Sequence, residues 1–229
     1  MSTFKRVFKE KHTFLAVVHA EDGVQALRNA RIAQQEGADG IFLINHAISY
    51  VNLLEYYEKV REQLPDLWIG LNCLDIGRSA VSVIPNNTAG LWIDNAGIKE
   101  GKDSTTEAEE FAVLRSNSDW QGIYFGGVAF KYQGEVNDVA KVARLAAPFV
   151  DVITTSGAGT GKAADVAKIQ RMKEAIGDQP LAIASGITPE NVHEYMPYAD
   201  CFLVATGISD SHTELNPERV LALAKALGR

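Results

Sequence analysis

Apolar runs and amphipathic stretches alternate along the whole chain. Residues 13–19 (Thr-Phe-Leu-Ala-Val-Val-His) are apolar on both phases, as a strand covered on both faces must be. Asp22 then caps a helix with Val24, Leu27, Ala30 and Ala33 as its inner stripe, stopping at Gly37. Residues 40–45 read as a second strand. Residues 51–64 read as a helix facing inward through Val51, Leu54, Tyr57 and Val60. The third strand spans 67–72, a short helix 78–84, and the fourth strand 90–94. A polar loop over 95–106 is long enough to serve as a lid. Helix 107–115, strand 121–128, helix 136–147 and strand 150–155 follow. The next helix carries Val166, Ile169, Met172 and Ile176 on one face. Strand seven is 181–185, and Thr188-Pro189-Glu190 opens a helix behind it. Strand eight is 201–205, and Asn216-Pro217 starts the last helix with a cap and an N1 proline.

Strict alternation of strands and helices demands a parallel sheet with right-handed crossovers. An open doubly wound sheet has the same alternation. The count of eight strands and the length of 229 residues favour an α/β fold of one (β/α)8 TIM barrel, with residues 1–229 as a single domain. A faint repeat supports this: Ala38-Asp39, Val150-Asp151 and Ala199-Asp200 each precede a buried run.

Composition changes this picture little. The chain is 46% hydrophobic and 22% charged, with a net charge of −7. That is ordinary for a globular protein, and without a basic cluster it argues against nucleic acid. No apolar run approaches the roughly 20 residues that cross a bilayer, so membrane insertion is not expected. The polar N-terminus shows no signal peptide, and the spacing of Cys73 and Cys201 suits no metal. The expectation is a cytoplasmic protein, with room for a homo-oligomer.

Candidate chemistry concentrates where strands end, the face on which such barrels carry their sites. Strand six breaks into Ser156-Gly157-Ala158-Gly159-Thr160-Gly161-Lys162. Glycines let backbone N–H groups converge on an anion, and a helix N-terminus adds positive potential. A P-loop is excluded: Gly157 and Gly161 are one residue too close, and Ala163 follows the lysine. Ser185-Gly186 and Thr206-Gly207 end the next two strands in the same small-residue style. These three strand ends form the expected phosphate site: Ser156, Gly157, Gly159, Thr160, Gly161, Ser185, Gly186, Thr206 and Gly207. The earlier strands end in His19, Asn45, Asn72, Asp94 with Asn95, and Lys131, while strand six ends in Thr155. A substrate with its phosphate over strands six to eight and its reacting part over strands one to five fits this asymmetry.

Asp94, His19 and Lys131 are the expected catalytic group. Asp94 is either a general base or a turn cap. His19 is either an acid/base or a hydrogen bond to a neighbouring loop. Lys131 is a proton donor, anion clamp or Schiff-base amine, or else a solvated lysine. Asn45, Asn72, Asn95 and Thr155 are expected to orient substrate. Glu21 and Asp22 with Asp94 could hold a cation, but no tight ligand pair supports it, so no metal and no cofactor is expected. His46 and His193 are assigned to structure or surface.

Thr155-Ser156-Gly157-Ala158, Thr160-Gly161-Lys162 and Asp165, followed by Ala184-Ser185-Gly186-Ile187-Thr188-Pro189-Glu190-Asn191-Val192, resemble the BtpA family. That family is named for a protein of photosystem I biogenesis. Val18-His19 and Ala129-Phe130-Lys131 extend the likeness more weakly. The chain departs from the family in the short loop after His19 and in Tyr132, which stands where the family tends to carry a histidine. The resemblance implies a barrel of the ribulose-phosphate-binding kind and brings no reaction with it. Together these readings point to an enzyme of lyase, aldolase, isomerase or glycosyl/phosphoribosyl-transfer type. Its expected partner is a small phosphorylated molecule, a sugar phosphate or a nucleotide-derived compound. The alternative is a non-catalytic assembly or biogenesis protein that keeps the barrel and its anion site.

Overall fold

A computed structural model describes residues 2–229. Eight parallel strands close into a barrel in chain order: β1 (Thr13–Ala20), β2 (Gly40–Asn45), β3 (Ile69–Asn72), β4 (Gly90–Ile93), β5 (Ile123–Gly127), β6 (Val152–Thr155), β7 (Leu181–Ala184) and β8 (Cys201–Val204). Closure is direct, with Thr13 of β1 opposite Cys201 of β8 and Leu15 opposite Gly40 of β2. Outside lie α2 (Gly23–Gln35), α3 (Tyr50–Gln63), α4 (Thr106–Ser116), α5 (Val139–Ala146), α6 (Val166–Ile176), α7 (Val192–Tyr195) and α8 (Pro217–Ala226), preceded by α1 (Thr3–Val7) at the N-terminus. Caps explain the helix starts. Asp22 accepts from the N–H groups of Val24 and Gln25, Asp165 from Ala167, and Asn216 from Arg219.

Several expected elements differ. The helix expected after β3 is a 3-10 turn over Gly77–Ser82. Thr188-Pro189-Glu190 forms a turn, and α7 behind it has four residues. Val24 and Val51 sit in the first turns of α2 and α3 and face outward, 75% and 60% exposed. Gln25, Ala26 and Asn29 take the inner side of α2, and Leu53 that of α3.

Strand alternation divides the core into two layers. Leu15, Val17, Phe42, Ile44, Trp92 and Phe125 point into the barrel, while Phe14, Ala16, Val18, Ile41, Leu43 and Leu91 meet the helices. The inner layer also receives Phe4 and Phe8 from and beside α1. Phe4 meets the Phe125 ring edge-on at 6.2 Å, and Phe8 packs against Trp68 at 5.3 Å. The polar N-terminal segment therefore closes the bottom of the barrel with aromatic rings, which its composition alone did not suggest.

The repeated Asp before strands has a structural cause. Asp39, Asp151 and Asp200 each accept the N–H of the neighbouring strand's opening stretch, at Phe14 (2.7 Å), Tyr124 (2.8 Å) and Leu181 (2.9 Å). Each also pairs with a cation, namely Arg229, Arg115 and Lys173. The repeat clasps the barrel's lower rim. Cys73 and Cys201 are both free and buried. Among the described residues no helix is long and apolar enough to cross a membrane.

Candidate active site

The upper mouth holds a cavity of about 240 Å³ with an apolar floor that includes Val17, Ile44, Trp92 and Leu203. Its polar wall contains His19, His46, Asp94, Lys131, Thr160, Ser185 and Thr206. Strand phase brings the first of these in. Leu15 and Val17 face the interior, so His19 does too. Trp92 and Asp94 share a phase in the same way. Lys131 arrives differently, because Ala129 and Tyr132 take left-handed backbone (φ 47° and 66°) and turn the chain back over the mouth. Gly126 and Gly127 remain in register with Ile93 of β4 and Thr154 of β6, so the turn is made after the strand and not within it.

Asp94 is largely buried. Its Oδ1 accepts from Asn72 Nδ2 at 3.0 Å, and its backbone carbonyl accepts from Gln133 Nε2. Burial raises its pKa above the ordinary carboxylate value, against smaller opposing effects from Asn72 and Lys131. The ammonium of Lys131 therefore does not impose ionisation on Asp94. Burial outweighs it, because the lysine is half-buried and open to water. Lys131 Nζ reaches Thr160 Oγ1 at 3.4 Å, and its backbone N–H donates to Ser156 Oγ at 2.8 Å.

His19 is 8% exposed, and its Nδ1 lies 2.8 Å from the carbonyl oxygen of His212. Burial holds its pKa down at about 4, with nearby His212, His46 and Lys131 adding to the effect. A ring so placed is neutral at pH 7.

The other expected site residues divide between the cavity and the scaffold. Asn45 falls on the outward phase of β2. It donates to Asp75 (2.8 Å) and Ile48 and accepts from the Leu74 N–H, fixing the loops behind the barrel. Thr155 is likewise outward and donates to the Ala129 carbonyl. Asn95 is exposed and closes a tight turn onto the Gly97 N–H at 2.8 Å. Asn72 reaches the site through Asp94.

The glycine loop is split. Thr160 and Gly161 line the cavity. Ser156 is buried, with its hydroxyl accepting from Lys131 N–H and donating to Gly157 O. Ser156, Gly157 and Ala158 line a separate crevice beside Lys168, and Gly159 faces Lys162 and Tyr132. Lys168 donates from Nζ to the carbonyls of Ala129 (2.6 Å) and Ser156 (2.7 Å), and burial lowers its pKa to about 8. Sequence reasoning missed this lysine, which lies in the first turn of α6 and straps two loops together.

Gly186 and Gly207 serve close packing. A Cβ on Gly186 would lie 2.3 Å from Ala163, and one on Gly207 would lie 2.0 Å from the Ile187 carbonyl oxygen. Carboxylate substitutions at these positions would distort the loops and so cannot test anion binding alone. Ser185 takes φ 97°, and its buried hydroxyl has no protein partner. The buried Trp92 Nε1 is also unpaired.

The loop expected as a lid is tied down. Ala96, Gly97 and Ile98 are buried, and the Glu100 carboxylate accepts from the backbone N–H groups of Asn137 (3.0 Å) and Asp138 (2.8 Å). Glu21, Asp22 and Asp94 form no cation site, since Asp22 is committed to its cap and Asp94 faces Asn72.

The likeness read from the motifs can be set against known proteins. Residues 129–228 match the model of the BtpA family. That stretch contains Lys131, the split glycine loop and the Ser185 and Thr206 strand ends, so the BtpA match covers the half of the mouth expected to meet an anion. An uncharacterized protein of Thermococcus kodakarensis is 27% identical, covering 88% of this chain and 85% of the relative. Among solved structures, (S)-3-O-geranylgeranylglyceryl phosphate synthase from Thermoplasma acidophilum, in complex with sn-glycerol-1-phosphate, superposes with a TM-score of 0.69. It is 16% identical and covers 99% of this chain and 98% of that one. Phosphoribosyl anthranilate isomerase from Thermus thermophilus gives a TM-score of 0.64 at 16% identity, covering 94% and 98%. At these identities the likeness shows the fold alone, a (β/α)8 TIM barrel.

Proposed function

We propose that this protein is an enzyme that binds a small phosphorylated metabolite at the barrel mouth and transfers a proton within it, in the manner of a lyase or isomerase. One observation carries the reading. A protonatable carboxyl, Asp94, and an ammonium, Lys131, line the same cavity as the unpaired buried hydroxyl of Ser185. Of the buried polar groups without a protein partner, Ser185 and the Trp92 indole N–H are the two whose residues line this cavity, so a polar ligand bound there would satisfy them. The phosphate would lie against Thr160, Gly161, Ser185 and Thr206, within reach of Lys131. The reacting carbon would then face Asp94. A carboxyl group with a raised pKa gains strength as a base, and Asn72 holds it in one orientation. The names of the two solved neighbours, both concerned with phosphorylated compounds, support the same ligand class.

The test is a thermal-shift panel of phosphorylated metabolites. A true ligand at about 100 times its dissociation constant adds roughly 2.7 kcal/mol of stability. Thr206 is exposed at the mouth, so Thr206→Glu should abolish the shift without harming the fold. For a ligand found this way, Asp94→Asn should lower turnover by about 10² to 10⁴ while binding persists. Stabilisation that survives in Thr206→Glu would place the ligand elsewhere.

A further inference from the structure

Three histidines from distant parts of the chain meet at one side of the mouth. His19 ends β1, His46 follows β2, and His212 lies between β8 and α8. One ring nitrogen from each falls within 4.8 Å of the others. The ring centroids of His19 and His212 are 4.1 Å apart, those of His19 and His46 are 4.8 Å apart, and those of His46 and His212 are 5.4 Å apart. Among the described residues this is the one such group of potential metal ligands.

The segment bearing His212 is built to hold its place. Gln25 and Asn29, buried polar residues on α2, donate to the Thr213 carbonyl, and Asn29 Oδ1 accepts the Leu215 N–H at 2.7 Å. Arg28 pairs with Glu214, and Asn216 bonds Asp210 at 2.8 Å. These amides anchor residues 213–215, of which Leu215 enters the core, and Gln25 also donates to the His19 carbonyl. The same anchoring fixes where His212 stands. The His212 carbonyl in turn takes the Nδ1 side of His19, leaving His19 Nε2 as the free lone pair. Histidine ligands are commonly oriented in this way, by a backbone carbonyl on the far nitrogen.

We propose that His19, His46 and His212 form a binding site for a divalent transition metal of the zinc type, at the edge of the cavity that holds Asp94 and Lys131. Three imidazoles select zinc and its later first-row neighbours over magnesium or calcium, which prefer oxygen. Tetrahedral zinc with bonds of 2.0–2.1 Å requires nitrogens about 3.4 Å apart. His46 and His212 are exposed and free to draw in by that remaining distance, while His19 stays fixed. Three protein ligands leave a fourth position, and because His19 and His46 line the cavity, that position opens toward it. Open sites of this kind polarise a ligand oxygen or activate water. The inference goes beyond the phosphate reading and does not depend on it.

The test uses the full chain, dialysed against chelator, and titrated with Zn²⁺ alone in a calorimeter. About one equivalent should bind, and a large excess of Mg²⁺ should not compete. Co²⁺ should give the visible absorption of nitrogen-ligated, four-coordinate cobalt. His46→Ala and His212→Ala, both at exposed positions, should each weaken binding tenfold or more while circular dichroism stays unchanged. His193→Ala, an exposed histidine on α7, should bind as the parent does. Absence of saturable Zn²⁺ binding, or parental affinity in both site variants, would overturn the proposal. Because no phosphorylated compound is present, neither outcome bears on the phosphate site.

Discussion

At Asp94 the barrel buries a carboxyl group that water would ionise freely. Its folded pKa lies above the 3.8 of an exposed aspartate, chiefly through burial. The fold therefore favours the protonated form. The contribution to stability is full below pH 3.8 and is lost as pH rises through the higher folded pKa. Asp94→Asn keeps an oxygen for Asn72 and carries no charge. Thermal melts should show the variant more stable than the parent at pH 7.5, with the gap closing toward pH 4. A variant less stable at every pH would mean that the carboxylate is a structural anchor. Gly127 is tied to the same group, because a Cβ there would stand 1.8 Å from the Asp94 carbonyl oxygen. Gly127→Ala should cost about 1–3 kcal/mol by overpacking, read from chemical denaturation. It should also weaken ligand binding, since the backbone that must move is the one that carries Asp94.

Loops on the upper face and clasps on the lower face follow different rules. Below, Asp39, Asp151 and Asp200 each join two strands and one cation, which ties three neighbouring strand pairs at that rim. Above, the long connection after β4 is polar, yet Glu100 binds it to the segment after β5 that carries Lys131 and Tyr132. The two loops are thus coupled, and a carboxylate capping two backbone N–H groups is a strong tie. Glu100→Ala should raise hydrogen exchange in residues 95–105 and in 131–138 together. Faster exchange in the first segment alone would show that the tie does not couple them.

At the scale of the whole molecule, the aromatic plug and the candidate site occupy opposite ends of one barrel. Phe4 and Phe8 plug the bottom against Phe125 and Trp68, far along the axis from Asp94 and the histidines. Phe4→Ala removes a buried ring and should cost about 3 kcal/mol, measured as a shift of the urea midpoint. Ligand and metal affinities at the mouth should stay unchanged. A parallel loss of affinity would mean that the inner core transmits packing from one end to the other.

The alternation of apolar runs with helical stripes was enough to call a parallel α/β fold, because each strand is buried on both faces and each helix on one, and the count of eight then favoured a barrel over an open sheet. The Ser-Gly and Thr-Gly strand ends, and the likeness of residues 155–192 to the BtpA family, were legible for the same local reason. Strand phase was legible too. Counting by two from Leu15 and Val17 puts His19 inside, and counting from Phe42 and Ile44 puts Asn45 outside, so Asn45 and Thr155 could have been set aside from their positions alone. The tertiary structure decided what lies in no local pattern. His212 joins His19 across 193 positions because β8 closes onto β1. Lys131 enters the mouth through left-handed backbone at Ala129 and Tyr132, which no strand period announces. Lys168 and Glu100 become straps because loops from separate crossovers happen to meet. The close approaches at Gly127, Gly186 and Gly207 are contacts between segments. A sequence shows that a glycine is present, and the closed barrel determines which neighbour requires it.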